Sequence, residues 1–281
     1  MPSSVSLKAL LETGVHFGHR TPKWNPKMKP YIFTQRNGIH IIDLQQTINY
    51  LNQYYDLVRD IITRGGTVLF VGTKRQAMET IGREAERARM PYVNHRWLGG
   101  TLTNWRTIRD RIDTLRKLEA RRDKGEFELL TKKEALIMER KIENLKLRLG
   151  GIREMKKLPD LIIVVDTKRE TTAVKEANTL KIPVLALVDT NADPEVIDYI
   201  IPGNDDAMRA IKLIVSALAD AVIEGKNMRK GGADEEDGKA AFDEIDLTAY
   251  DQEKEDDEVY LGASTLAKLK NMRIDETEEE A

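Results

Sequence analysis

The chain has 281 residues, 41% of them hydrophobic and 33% charged, with a net charge of −2, which suits one large or two modest domains at roughly 100 to 200 residues each. It contains no cysteine, which excludes a disulfide framework, a zinc finger and a thiol nucleophile. No apolar run approaches the roughly 18 to 20 residues of a membrane span, and the amino terminus lacks a basic region followed by an apolar signal core, so a soluble, cytoplasmic protein is expected.

The small net charge hides two opposed regions. Residues 231–281 hold 5 Lys+Arg and 18 Asp+Glu, a charge of −13, which leaves 40 and 29 for residues 1–230, a charge of +11. A basic body is an electrostatic footprint for polyanions, and an acidic segment of low hydrophobicity is expected to be disordered.

In chain order, Leu7, Leu10 and Leu11 suggest a short amphipathic helix stopped by Gly14. The stretch VHFGHRTPKWNPKMKPYIF follows, placing His16, Arg20, Lys23, Trp24, Lys27 and Lys29 among Pro22, Pro26 and Pro30, with Arg36 just beyond. The prolines are expected to keep it extended, and cations alternating with rings on such a segment suit loop or single-stranded RNA. Residues 31–33 and 39–42, joined by Asn37-Gly38, read as a hairpin whose turn needs positive φ. Asp43 can cap the next helix, whose Leu44, Ile48, Leu51, Tyr55, Val58 and Ile62 share one face up to Gly65-Gly66.

Residues 67–71 form an apolar, β-branched run without alternation, the pattern of a strand buried on both faces. Gly72-Thr73-Lys74-Arg75 then opens a helix, where backbone N–H groups and two cations are expected to hold an anion. Pro91 ends that helix, residues 92–93 restart a strand, and Asn94-His95-Arg96-Trp97-Leu98-Gly99-Gly100 follows. Arg96 suits a phosphate, and Trp97 either stacks on a base or packs beneath the loop. Residues 103–122 and 132–149 are charged helical patterns, with Trp105, Ile108, Ile112 and Leu115 on one stripe and Met138, Ile142, Leu145 and Leu149 on the other. Joined near Gly125, they read as an antiparallel coiled-coil hairpin. Strands are expected at 161–165, 182–188 and 199–201, the first followed by Thr167-Lys168-Arg169, a second Thr-Lys-Arg, and a last helix starts after Asn204 or Asp205. Five buried strands alternating with helices give an α/β fold with a doubly wound, five-stranded parallel sheet. The expected organisation is an α/β domain of residues 1–102 and 157–230, an inserted hairpin at 103–156 and an acidic tail at 231–281.

Enzyme chemistry finds little support. Neither GxxxxGK[ST] nor GxGxxG follows the first buried strand and no GxSxG occurs, so a phosphate- or nucleotide-binding enzyme on this sheet is the weaker alternative. No cofactor is expected. His19 with Asp189, Asp205 or Asp206 could supply mixed nitrogen and oxygen ligands to a metal, although they are far apart and follow no metal spacing.

The strings GVHFGHRTPKWNPKMKPYIF, LFVGTKRQA, NHRWLGGTLTNW, LTKKEAL, LPDLIIVVD, KEANTLKIPVLALVDTN and IPGNDDA, in this order up to about residue 228, closely resemble the family of the second protein of the bacterial ribosomal small subunit. The resemblance implies a flavodoxin-like domain with an inserted helical hairpin, seated on small-subunit ribosomal RNA in the cytoplasmic ribosome. It also implies contact with other small-subunit proteins, recruitment of the large mRNA-binding first protein of that subunit, and no catalytic activity. Carried over by motif, the RNA contacts are His16, Arg20, Lys23, Trp24, Lys27, Lys29, Arg36, Lys74, Arg75, Arg96, Trp97 and Arg106. The acidic tail departs from many relatives, which end soon after the last helix.

Overall fold

The computed structural model describes residues 5–230, so the acidic tail expected at 231–281 lies outside the described residues. The amino-terminal part begins with α1 (Leu7–Glu12), capped by the Ser6 side chain. A three-stranded antiparallel sheet follows, made of β1 (Phe17–Arg20), β2 (Ile32–Arg36) and β3 (Ile39–Ile42) in the order β1-β3-β2. The β2–β3 turn is the expected one, with Asn37 at φ 50° and Gly38 at φ 73°, both needing the left-handed conformation that such hairpin turns require.

The segment before it differs from the extended reading. Phe17–Arg20 is a strand, and the prolines open two 3-10 turns, Thr21–Lys23 and Pro26–Tyr31, instead of an irregular run. Proline is tolerated at such a first position because its missing N–H would have had no partner there. The Asn25 side chain accepts from Lys27 N and caps the second turn, and Met28 plugs into the core, fully buried.

The larger part contains α2 (Leu44–Thr63), β4 (Val68–Val71), α3 (Arg75–Arg87), β5 (Tyr92–Val93), α4 (Trp105–Asp123), α5 (Lys132–Leu149), β6 (Leu161–Val165), α6 (Thr171–Thr179), β7 (Val184–Val188), β8 (Tyr199–Pro202) and α7 (Met208–Lys230). Its five strands are all parallel, in the order β5-β4-β6-β7-β8. Numbered along the sheet this is 2-1-3-4-5, the flavodoxin-like winding, whose direction reverses between β4 and β6.

Side-chain alternation assigns each strand's residues to two cores. Val68, Phe70, Leu161, Ile163, Val165, Leu185 and Leu187 face α2, α3 and α7. Leu69, Val71, Ile162, Val164, Val184, Ala186 and Val188 face the opposite way, with Ile108, Ile112, Leu149 and Ala173 from α4, α5 and α6. Both faces are therefore covered, as parallel sheets require, and this explains why the strands read as unbroken apolar runs. The outer edge strand β8 is tied to α2, whose Thr47 hydroxyl donates to the Pro202 carbonyl at 2.7 Å.

Within the insertion, α4 and α5 are joined through the Glu126–Leu129 3-10 turn and close on a small core of Leu115, Leu118, Phe127 and Ile142. The start of α5 is fixed by a capping box in which Thr131 and Glu134 satisfy each other's backbone N–H groups.

α2 and α7 pack tightly at Gly225, where a Cβ would stand 2.6 Å from the Arg59 carbonyl oxygen and 2.9 Å from Ile62 Cβ. Backbone on both sides cannot step aside cheaply. Gly225→Ala should therefore lower stability by about 1 to 3 kcal/mol, despite the better helix propensity of alanine. Urea denaturation checks this, and an unchanged midpoint would show that the two helices separate without cost.

Candidate nucleic-acid interface

Ligands of such sheets lie beyond the carboxyl ends of the strands, at the switch point, here the space between Thr73 after β4 and Asp166 after β6. The anion seat expected at the start of α3 is already taken by the protein itself. Glu170, 3% exposed, accepts from Thr73 N at 3.0 Å and from the Thr73 hydroxyl, while Arg169 Nε donates to the same hydroxyl at 3.1 Å. Burial raises the Glu170 pKa, and the Thr73 hydrogen bonds oppose that rise without cancelling it. The second Thr-Lys-Arg is not a copy of the first: Asp166 takes φ 63° and its carboxylate accepts from Arg169 N, so α6 starts only at Thr171, after Glu170. A phosphate cradle is thereby closed at the point where a nucleotide enzyme would open one.

Next to it lies a polar cluster that joins the small sheet to the large one. His19 on β1 places Nδ1 2.9 Å from Asp189 and Nε2 3.5 Å from Asp206, and its backbone N–H donates to the Thr190 hydroxyl at 2.8 Å. Lys74 extends its ammonium to Asp206 at 2.5 Å, Asp205 at 2.7 Å and Asp166 at 3.3 Å. Its side chain is only 11% exposed, so Lys74 is committed to carboxylates instead of facing solvent. The hydrogen bond that His19 donates to Asp189 raises the His19 pKa, partly opposed by burial. Burial, reinforced by Asp189 and Asp166, pushes Asp205 up to about 7 even with Lys74 beside it. The metal reading from sequence gains a geometric basis here: one ligand atom each from His19, Asp189, Asp205 and Asp206 lie within 4.8 Å of one another. An imidazole with three carboxylates is a donor set that fits a divalent cation, and the single charge of Lys74 is shared by two of those carboxylates, Asp205 and Asp206, with Asp166.

The loop 94–104 is organised by a residue that sequence reasoning passed over. Glu176 on α6, 7% exposed, accepts from Trp97 Nε1 at 3.1 Å, Gly100 N at 2.8 Å, Leu102 N at 2.9 Å, and Thr103 N and Oγ1 at 3.2 Å each. Burial by itself would raise its pKa; the bonds from Leu102, Trp97 and Gly100 outweigh it and leave the carboxyl below its usual value. A signal existed in sequence: Glu176 falls among Ala173, Val174 and Ala177, on the face of α6 that packs inward. Trp97, named from sequence for RNA contact, is 8% exposed and belongs to the second core, so its ring packs under the loop. Arg96 beside it is exposed.

The other candidates fall into three groups. Lys27 is held by Asp193 at 3.0 Å and Glu195 at 2.5 Å. His16 stays half-buried against the Phe17 ring, its pKa lowered by burial, and half-buried Trp24 lies 4.8 Å from the buried His40 ring. Arg20, Lys23, Lys29, Arg36, Arg75, Arg96 and Arg106 are exposed and make no ion pair among the described residues. Those side chains project from β1 and its following turns, the β2 end, the α3 start, the 94–104 loop and the α4 start.

Residues 10–225 match the family described as Ribosomal protein S2. The chain belongs to the ribosomal protein S2 family. It is 54% identical over 250 residues to the small ribosomal subunit protein uS2 of Coprothermobacter proteolyticus, covering 88% of this chain and 93% of that protein. Membership makes this S2-family chain a structural protein of the cytoplasmic ribosome and not an enzyme. No helix among the described residues is long and apolar enough to cross a membrane.

Proposed function

We propose that this chain is a structural constituent of the small ribosomal subunit, that it binds small-subunit ribosomal RNA with the surface carrying Arg20, Lys23, Lys29, Arg36, Arg75, Arg96 and Arg106, and that it helps recruit the large mRNA-binding first protein of the subunit. The observation that carries the RNA reading is that seven exposed cations make no ion pair among the described residues, one of them, Arg96, on a loop whose backbone Glu176 holds from below. Phosphate contacts of this kind supply affinity and orientation. The inserted hairpin, residues 103–156, adds a net +6 from 16 Lys+Arg against 10 Asp+Glu and works as a coiled-coil arm along the same RNA. Association with other small-subunit proteins, the first protein among them, rests on the family resemblance. In this reading Lys74, His19, Asp189 and Asp205 hold the small sheet on the large one. The last three would also ligate a divalent cation that displaced the Lys74 ammonium from Asp205.

The test is binding of the full chain to a small-subunit ribosomal RNA fragment across a salt series. Affinity should fall steeply with salt, and Lys23→Ala with Lys29→Ala should weaken binding and reduce the slope of log affinity against log salt by about 1 for each phosphate no longer neutralised. Circular dichroism should be unchanged, because neither lysine holds the fold. Lys27→Ala alone should change affinity much less, its charge being already neutralised by Asp193 and Glu195. A salt slope that does not respond to Lys23 and Lys29 would refute this surface.

A further inference from the structure

The opposite end of the large sheet, where its strands begin, carries a cleft of about 770 Å³ between the entry to β4, the end of α3, the base of the hairpin and the last turns of α7. Ile62, Met90, Pro91, Tyr92 and Met155 give it an apolar wall, and its rim holds Arg89, Lys156, Lys157, Lys226 and Arg229 against Glu86 and Glu154. Glu86 accepts from the Tyr92 hydroxyl at 2.5 Å within the cleft and has no cation beside it among the ion pairs of the described residues, while Glu154 lies 3.8 Å from Arg116 and 3.7 Å from Arg153. Lys226 donates to the Ala88 and Arg89 carbonyls and Lys157 to Asp160. Arg89, Lys156 and Arg229 are exposed and form no ion pair among the described residues.

Arg89 is also a backbone outlier. It holds φ 49° at the end of α3, where its N–H bonds to the Glu86 carbonyl and Met90 N to the Ala85 carbonyl. That is the left-handed position which closes a helix and which glycine or asparagine fills most readily. Lys181 closes α6 in the same way at φ 56°, so the conformation is a helix stop in both places, and at Arg89 it sets the guanidinium at the mouth of a cationic cleft.

We propose that this cleft binds one unstacked nucleotide of an RNA, with the base against Met90, Pro91, Tyr92 and Met155 and the phosphates on Arg89, Lys156 and Arg229. The volume is that of a small-ligand site, and an apolar and aromatic wall beside cations is the chemistry that holds single-stranded RNA. An acidic peptide would satisfy the cations but leave the apolar wall without a partner. The proposal rests on the RNA reading of the chain, yet it uses the other end of the sheet from Lys23 and Lys29, so the two can fail separately.

The experiment is a titration of the full chain, labelled at its methionine methyls, with octauridylate at low salt. The Met90 and Met155 methyls should shift and saturate together while Met138 on the hairpin stays put. Arg89→Gly, which suits the left-handed backbone, should weaken that saturation at least fivefold without lowering the melting temperature. Lys23→Ala with Lys29→Ala should leave these two shifts intact even where it weakens the ribosomal RNA fragment, which separates failure of the first surface from failure of the cleft. Methyls that do not move, or an Arg89→Gly chain that titrates like the parent, would overturn the proposal. So would an octaglutamate peptide that moves the same methyls at lower concentration than the RNA, since it would assign the cleft to a protein partner.

Discussion

Replacing Glu176 by glutamine should lower stability by about 2 to 4 kcal/mol, although the two side chains have the same shape. The carboxylate accepts five hydrogen bonds in a site where it is almost wholly buried. An amide must turn an NH2 toward either the Trp97 and Gly100 donors or the Leu102 and Thr103 donors. Bonds to a charged acceptor are worth about 1.5 to 3 kcal/mol each, and a buried donor left unmatched costs about 1 to 3 kcal/mol. Denaturant midpoints measure the loss, and hydrogen exchange at Gly100, Leu102 and Thr103 localises it to the loop. The sign with pH follows from the depressed carboxyl. The stabilisation is fully present above the ordinary value of 4.5 and disappears as pH falls through the lower folded value, so the gap between parent and Glu176→Gln should close in acid. A variant as stable as the parent at neutral pH, with unaltered exchange, would mean that the five hydrogen bonds contribute nothing.

Trp97→Ala should cost about 3 to 5 kcal/mol, the usual consequence of removing a large buried ring, and it should weaken RNA binding only as far as the loop itself loosens. Its indole packs with the second core and spends its one N–H on Glu176. Thermal denaturation and RNA titration of the same variant separate the two roles. A chain that keeps its melting temperature but loses RNA affinity would show the ring stacking on a base, against the packing described here.

These two residues also show what a sequence can and cannot disclose. The parallel strands are legible because burial on both faces leaves Val68–Val71, Leu161–Val165 and Val184–Val188 without a polar residue, and Asn37-Gly38 is legible because few residue pairs accept its turn. β1 is not, since Phe17-Gly18-His19-Arg20 alternates nothing and is a strand only because β3 lies beside it. The two buried glutamates, Glu170 and Glu176, are harder still. Glu170 meets Thr73 across 97 positions and Glu176 meets Trp97 across 79, and a glutamate in or beside a helix ordinarily faces water. The candidate cations are legible as residue types, but whether each is free or spent is decided by partners brought from elsewhere: Lys74 by Asp205 and Asp206, Lys27 by Asp193 and Glu195.

The insertion of α4 and α5 between β5 and β6 has a consequence for how the chain comes off the ribosome that makes it. The central strand pair joins Val68 to Leu161, 93 positions apart, so at roughly 5 to 20 residues per second β4 emerges some 5 to 20 seconds before its inner neighbour exists. The helical hairpin, whose contacts are local, forms during that wait. The first core stays open longer, because α2 has no α7 to lie against until nearly the whole described chain has been synthesised. Nascent chains stopped before α7 thus expose Leu51, Val58 and Ile62 along one side of α2, and that stripe is where a chaperone would be needed most.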